Sequence, residues 1–254
     1  MAGEFLKKLE IFAELSEAEA NLYRSLTQTE RTLNENQTLL TDGAPQSNLY
    51  VVKSGWFYSY AILPDGSRQV HGIFTAGDVI GTEHLSWGTS MSSVAAASDG
   101  VVYQIPVKAA RQFLMDNPRL NAIFYALHMV HNGLLLDRIT AVSRLGAYQK
   151  LAYFLADTLI RQNLILETET DILHLPLSQN FVADCLGLSS VHVSRQVGKL
   201  IKNGIIEKQG RYDFRVLDRD ALLKLSDYTD RFADIASSNF DANFSSDHSK
   251  GEFG

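Results

Sequence analysis

One cysteine, Cys185, and five prolines stand among the 254 residues of the chain. A single thiol excludes an intrachain disulfide framework. It also excludes an iron–sulfur cluster or thiolate metal site held by one chain, since a cluster takes about four cysteines. No apolar run approaches the ~18 residues of a membrane-spanning helix. The amino terminus, MAGEFLKKLEIFAEL, lacks the apolar core and cleavage site of a signal peptide. Also missing are a Gly-x-Ser-x-Gly elbow, a Gly-x-x-x-x-Gly-Lys phosphate cradle and a His-Glu-x-x-His pair, and the acids near Asp65 and Glu83 have no spaced partner. The expectation is a cytoplasmic, non-enzymatic protein with no membrane partner and no bound cofactor.

What is present suits a globular chain with a real core: 45% hydrophobic and 20% charged residues, net charge -6. The charge is unevenly spread. From Leu177 to Val216 six Lys/Arg stand against three acids, whereas from Asp218 to Gly254 four basic residues stand against eight acidic. The overall sign averages a locally basic module with an acidic tail.

The pattern of residues divides the chain. Residues 4–27 read as short amphipathic helices, with Ser16 an N-cap for EAEANLYRSL. From Thr38 to Pro106, glycines at 43, 55, 66, 72, 77, 81, 88 and 100 punctuate β-branched and aromatic runs, the signature of short strands in a sandwich or barrel. Pro64-Asp65-Gly66 marks a turn between two of them. After Pro118 a long helix follows, and Ile123, Leu127, Val130 and Leu134 are spaced four, three, four, flanked by Leu120. Such a stripe can cover the β domain or pair with its copy in a second chain. Pairing is the expectation, with Leu120, Ile123, Leu127, Val130 and Leu134 as the dimer seam and Gly133 allowing close approach. The expected fold is α+β. It has an N-terminal jelly-roll β-barrel (a double-stranded β-helix) with flanking helices over 5–117, and a dimerisation helix over 118–143. A winged helix-turn-helix over 144–226 and a disordered acidic tail over 227–254 complete it.

The stretch LGLSSVHVSRQVGKLIKNG, residues 186–204, explains the local basicity. Two short helices meet at a turn containing Gly187, and IIEKQGRYDFRVLD then reads as a hairpin turning at Gln209-Gly210. On the second helix Val193, Val197 and Leu200 face inward, which leaves polar and basic residues outward. DNA recognition needs this arrangement: a helix in the major groove, an Arg able to make two bonds to guanine, and cations on phosphates. The expected DNA contacts are Ser189, Ser190, Val191, His192, Ser194, Arg195, Lys199, Lys202 and Arg211. Cys185, on the first helix, reads as a small buried core residue.

These pieces in this order resemble the Crp–Fnr family of bacterial transcription regulators over about residues 5–226. The specific stretches are YVVKSGWFYSYAILPDGSRQV with FTAGDVIG, and LPLSQNFVADCLGLSSVHVSRQVGKLIKNGIIEKQGR. The resemblance implies a homodimer on a palindromic operator in double-stranded DNA, with RNA polymerase as a partner. In the family a Glu, a Ser and an Arg commonly touch bases. Here Ser194 and Arg195 match, but Val191 stands at the Glu position and offers only an apolar contact to a thymine methyl. Relatives that bind cyclic AMP hold its phosphate with an Arg after a Gly-Glu-Leu-Gly turn. Here the turn reads Gly81-Thr82-Glu83-His84, and the loop LSWGTSMSSVAAAS has no basic residue, leaving neutral Ser90, Ser92 and Ser93. Cyclic AMP is therefore not expected as effector. Arg68, beside a tight turn, should point to solvent, and the pocket should be small, apolar or collapsed with Ala95 to Ala97 on its wall. Carbon-monoxide-sensing relatives carry a haem ligand close to His84, but a lone histidine in a surface turn reads as just that, and His128 with His131 reads as polar filler. The alternative function is a regulatory module for haem or a small molecule that acts through protein contacts. A salt-dependent mobility shift separates the two, because phosphate contacts release counterions.

Overall fold

The computed structural model describes residues 3–166 and 168–236. Helices α1 (Gly3–Glu10) and α2 (Glu17–Leu26) lead in. Ser16 caps α2 reciprocally: its hydroxyl accepts from the Glu19 amide, and the Glu19 carboxylate accepts from the Ser16 amide at 2.9 Å. Strands β1 (Glu30–Leu33), β2 (Thr38–Leu40), β3 (Asn48–Ser54), β4 (Phe57–Ile62), β5 (Arg68–Phe74), β6 (Val79–Ile80), β7 (Ser93–Ala96) and β8 (Gly100–Pro106) then form two antiparallel sheets, ordered β1-β8-β3-β6 and β2-β7-β4-β5. The Pro64-Asp65-Gly66 turn joins β4 to β5, with Gly66 at φ 82° and the Asp65 carboxylate accepting from the Ser67 amide.

Alternation along the strands shows why this roll is covered on both faces. In β3, Tyr50 and Val52 enter the interior with Leu40, Phe57, Ile80, Val94, Ala96 and Val102. Leu49 and Val51 point the other way, onto the helices. In β7, Val94 and Ala96 are interior, whereas Ala95 and its follower Ala97 meet the C-terminal domain beside Trp56 and Tyr58. A period of two sends neighbours to opposite faces, so Ala95 to Ala97 line no single pocket wall, contrary to the sequence expectation.

Helix α3 (Val107–Asp116) leads to the 27-residue α4 (Pro118–Arg144), opened by Pro118 in its first turn. Leu120, Ile123, Leu127, Val130 and Leu134 are all buried within the single chain, packed with Phe5, Leu6, Leu9, Phe113 and others. The apolar stripe is thus filled intramolecularly and is not a free dimer seam. Spacing of four, three, four identifies the covered face of a helix but not what covers it, and α1 and the outer sheet face supply that cover here. Gly133 faces the Arg231 side chain, 3.9 Å from where a Cβ would sit.

The C-terminal domain comprises α5 (Ala147–Asn163), β9 (Ile172–His174), α6 (Gln179–Leu186), α7 (Ser190–Lys202), β10 (Ile206–Lys208), β11 (Asp213–Val216) and α8 (Arg219–Ser226). β9, which reads in sequence as the end of a polar loop, pairs with β11 to make a three-stranded sheet in the order β10-β11-β9. The expected disordered tail is corrected over its first part. Residues 231–236 form α9 (Arg231–Ala236), Phe232 is buried in the α1–α4 core, and Arg231 makes a bidentate pair with Asp137 of α4 at 2.7 Å. The remainder of that tail, residues 237–254, lies outside the described residues.

Candidate nucleic-acid interface

Ser178 caps α6, its hydroxyl accepting from the Phe181 amide at 3.1 Å, and the helix ends on Gly187 at φ 61°, a conformation that costs glycine nothing. Two residues later Ser189 caps α7 by accepting from the His192 amide. This short joint lets Val193 and Leu200 of α7 bury against Phe181, Val182, Cys185 and Leu186 of α6. The same burial turns the other face of α7 out.

On that face Val191, His192, Ser194, Arg195, Lys199 and Lys202 are exposed, and Ser190 is half-buried. Ser190, Val191, Ser194 and Arg195 form one wall of an open groove, and Ser178, Gln179 and Asn180 of α6 form the other. Gln179 and Asn180 are absent from the sequence-predicted set. Their signal was their place in the first turn after the Ser178 cap, beside the recognition helix. None of the groove residues is acidic, and among the described residues Arg195 has no hydrogen-bond or ion-pair partner. Val191 is 65% exposed, an apolar contact held in the middle of a polar groove. The basic residues further out are partly tied down: Lys199 Nζ lies 4.3 Å from the centre of the Tyr148 ring, and Arg211 stacks on Tyr212 at the wing, 5.0 Å from its ring. The hairpin turns at Gln209, whose amide bonds Asp213 O at 3.0 Å. The groove therefore offers donors, one free guanidinium and a methyl surface, with cations at its margins, which is the chemistry of duplex recognition.

The sensor-side residues fall differently from expectation. Arg68 does not point to solvent: its guanidinium pairs with Asp184 of α6 at 2.7 Å, donates to the Tyr58 hydroxyl at 2.8 Å and lies over the Tyr58 and Phe181 rings. A turn fixes the backbone of Arg68, but its long stem reaches the next domain. His84 is fully buried, not a surface-turn residue; Nδ1 lies 2.8 Å from Asn48 O and Nε2 3.2 Å from the Ser90 hydroxyl. Both ring nitrogens are thereby occupied, so His84 does not fit a haem ligand. His128 lies toward Thr82 and His131 toward Asp78, so the two do not converge. Among the described residues no cluster of three or more His, Cys, Asp or Glu could hold a metal ion. Cys185 is fully buried, and burial pushes its thiol up to about 12, leaving it protonated and unreactive.

A buried charge cluster joins four elements. Asp78, 1% exposed, meets Lys8 of α1 at 2.6 Å and Arg161 of α5 at 2.7 Å, and accepts from the Thr75 amide at 2.7 Å. His131 Nε2 of α4 lies 3.3 Å away, off the line of a hydrogen bond and without another partner. Burial alone would raise the Asp78 pKa, but Lys8 and Arg161 outweigh it and hold the carboxyl well below the usual range. For Lys8 burial wins over Asp78, and its pKa is lowered.

Comparison with known proteins agrees with this geometry. Residues 30–117 match the cyclic nucleotide-binding domain model, and residues 149–225 match the Crp-like helix-turn-helix domain model. The chain is 26% identical over 215 residues to the fumarate and nitrate reduction regulatory protein of Escherichia coli K12, covering 85% of each. Among solved structures it is similar to FixK2 from Bradyrhizobium japonicum (TM-score 0.71, 24% identity, 80% of this chain and 98% of that one). It is also similar to a CooA mutant from Carboxydothermus hydrogenoformans (TM-score 0.65, 20% identity, 84% and 92%). Among the described residues no helix is long and apolar enough to cross a membrane. With a β-roll sensor, a long connecting helix and a winged reader matching both domain models, the chain belongs to the Crp–Fnr family of transcription regulators and is not an enzyme.

Proposed function

We propose that this regulator binds a palindromic site in duplex DNA as a homodimer, with α7 in the major groove of each half-site. The observation that carries the reading is the open groove with no acid in it and an unpaired Arg195 on its wall. Arg195 reads a guanine, Val191 packs on a thymine methyl, Ser190 and Ser194 add hydroxyl contacts, and Gln179 with Asn180 holds the register. Ser189, His192, Lys199, Lys202 and Arg211 stand where the flanking phosphates pass. Acting on the chromosome, the protein works in the cytoplasm, with RNA polymerase as its downstream partner.

The dimer seam moves to the other face of α4. Asn121, Tyr125, His128, Asn132, Leu135 and Ile139 are exposed at spacings of four, three, four, three, four, with Met129 and Leu136 beside them. Tyr125, Leu136 and Ile139 are each more than half exposed in the single chain. A soluble helix rarely leaves such a row uncovered, and a second copy covers it by knobs-into-holes packing.

The decisive experiment is a mobility shift on sites recovered by genome-wide mapping. The reading expects a palindrome, retarded in a salt-dependent way, and a Leu136→Glu/Ile139→Glu chain that sediments as a monomer and no longer shifts the full site. A recovered motif without two-fold symmetry would sink it.

A further inference from the structure

A two-residue link joins the reader to α4. Leu145 and Gly146 run extended, at ψ 153° and 160°, between the end of α4 and the start of α5. Beyond the reader the chain comes back to α4. Asp227 ends α8 in the left-handed region at φ 50°, a conformation Asp tolerates better than most residues, and there the chain reverses. Tyr228 then meets the Tyr153 ring of α5, 5.6 Å between centres, and its hydroxyl donates to Asp157 at 3.4 Å. Asp230 opens α9, its carboxylate accepting from the Phe232 and Ala233 amides at 3.0 Å each.

The next two residues reach α4. Arg231 donates through two nitrogens to Asp137, 94 positions earlier in the chain. Its stem crosses Gly133, where a side chain longer than a methyl would meet it. Phe232 is buried in the core that α1 and α4 share. A half-exposed ion pair alone holds little, but a buried phenyl ring removes a large apolar area from water, so the segment is docked firmly.

The place of attachment decides what this segment can do. Asp137 lies three residues after Leu134 and four before Ala141, on the covered face of α4. The exposed row from Asn121 to Ile139 is left open, and so is the outer face of α7. The neighbouring Arg138 reaches the reader from another side, donating to Cys185 O of α6 at 3.3 Å. Asp137 and Arg138 thus hold the reader near both its helix-turn-helix and its C-terminal end.

We propose that Tyr228, Asp230, Arg231 and Phe232 form a strap that positions the reader on α4 for DNA, with Arg231 and Phe232 as its positioning residues. The inference rests on the reading of the protein as a dimer on a palindrome. A palindrome demands two α7 helices at a fixed separation, set by the turn of the DNA. A second attachment to α4 fixes the angle of each reader before DNA arrives, and order already present in the free protein does not subtract from affinity. Because the strap covers neither the exposed row of α4 nor the groove, it favours binding and does not inhibit it.

The test uses the full chain, mobility shifts on a recovered full site and on one half-site, and trypsin cleavage after the exposed Arg144 at the link. Phe232→Ala is expected to weaken the full site at least about fivefold while half-site binding stays within about twofold, because a lone reader needs no partner at a set distance. Arg231→Gln, which leaves the core intact, should lose roughly threefold on the full site only. The exchange Asp137→Arg/Arg231→Asp should regain it. Both single variants should be cut faster after Arg144. An equal loss on both sites, or none on either, overturns the proposal. So does tighter binding of the full site, which would make the segment a brake. If Phe232→Ala does not fold, Arg231→Gln decides alone. If the unaltered chain retards neither site, the DNA reading fails and cleavage judges the strap: faster cutting of Arg231→Gln upholds the second attachment, and unchanged cutting overturns it.

Discussion

Around Asp78 every cation is within bonding reach of a carboxylate and almost nothing touches solvent; along α7 the cations are exposed and Arg195 has no partner among the described residues. Both regions concentrate charge, and the physics separates their uses. A charge taken out of water must be met at once, so the Asp78 cluster fixes α1, the roll, α4 and α5 against each other. A charge left in water costs little and can wait for a phosphate or a guanine from outside. Paired and buried marks architecture here; unpaired and exposed marks the face proposed for DNA.

The sharpest way to break that contrast is to remove the hub. Asp78→Ala leaves Lys8 and Arg161 buried without their shared anion and should cost about 3–5 kcal/mol of stability, seen as a large fall in urea midpoint. The pH dependence has a definite sign. The Asp78 carboxyl is depressed in the folded state, so its contribution is complete above the ordinary carboxylate range near ~4 and is lost as pH falls toward the lower folded value. Acid titration of stability should therefore show a limb below pH ~4 that Asp78→Asn removes. An unchanged acid limb in the variant would mean the cluster carries no such coupling.

At the reading face the effect is on specificity and not on stability. Arg195→Ala should lower the preference for the specific site by about 1–3 kcal/mol per half-site while the melting temperature stays put. If the ratio of specific to nonspecific affinity held, the assigned docking register would be wrong.

Smaller effects test the boundary between the two regions. Arg68 and Asp184 are each nearly a third exposed, so Asp184→Asn should cost about 1 kcal/mol or less. Its informative readout is trypsin cleavage between roll and reader, which should quicken if this pair holds α6 on the sheet. Least of all, Lys202→Ala should weaken binding equally on all sequences and reduce the salt slope by about 1 per half-site. A sequence-selective loss there would move Lys202 from phosphate to base.

Much of this was legible in the chain. The winged reader could be placed because Ser178, Gly187 and Ser189 punctuate it and because Val193, Val197 and Leu200 leave a polar face behind. The roll could be placed from glycine punctuation, and the turn at Gly66 from its residues alone. Three features were not legible for a common reason: they depend on which surface meets which. The stripe from Leu120 to Leu134 announces a covered face, yet the same letters fit a partner chain or α1. Arg68 and His84 look alike in sequence, as polar residues at turns, and end as an interdomain tie and a buried bridge. Phe232 lies in a polar, acidic stretch and gives no periodic signal, though it fills a gap beside α4.

Local chemistry, then, determined the elements of this protein: capping hydroxyls, turn glycines and apolar period act within a few residues and leave their marks in order along the chain. Pairing of charges was decided only in three dimensions. Asp78 and Arg161 are 83 residues apart, and Arg68 and Asp184 are 116 apart. An ion pair needs two groups within about 4 Å, and only the packed fold sets that distance. The same packing leaves Arg195 without a carboxylate among the described residues, on the face proposed to meet DNA.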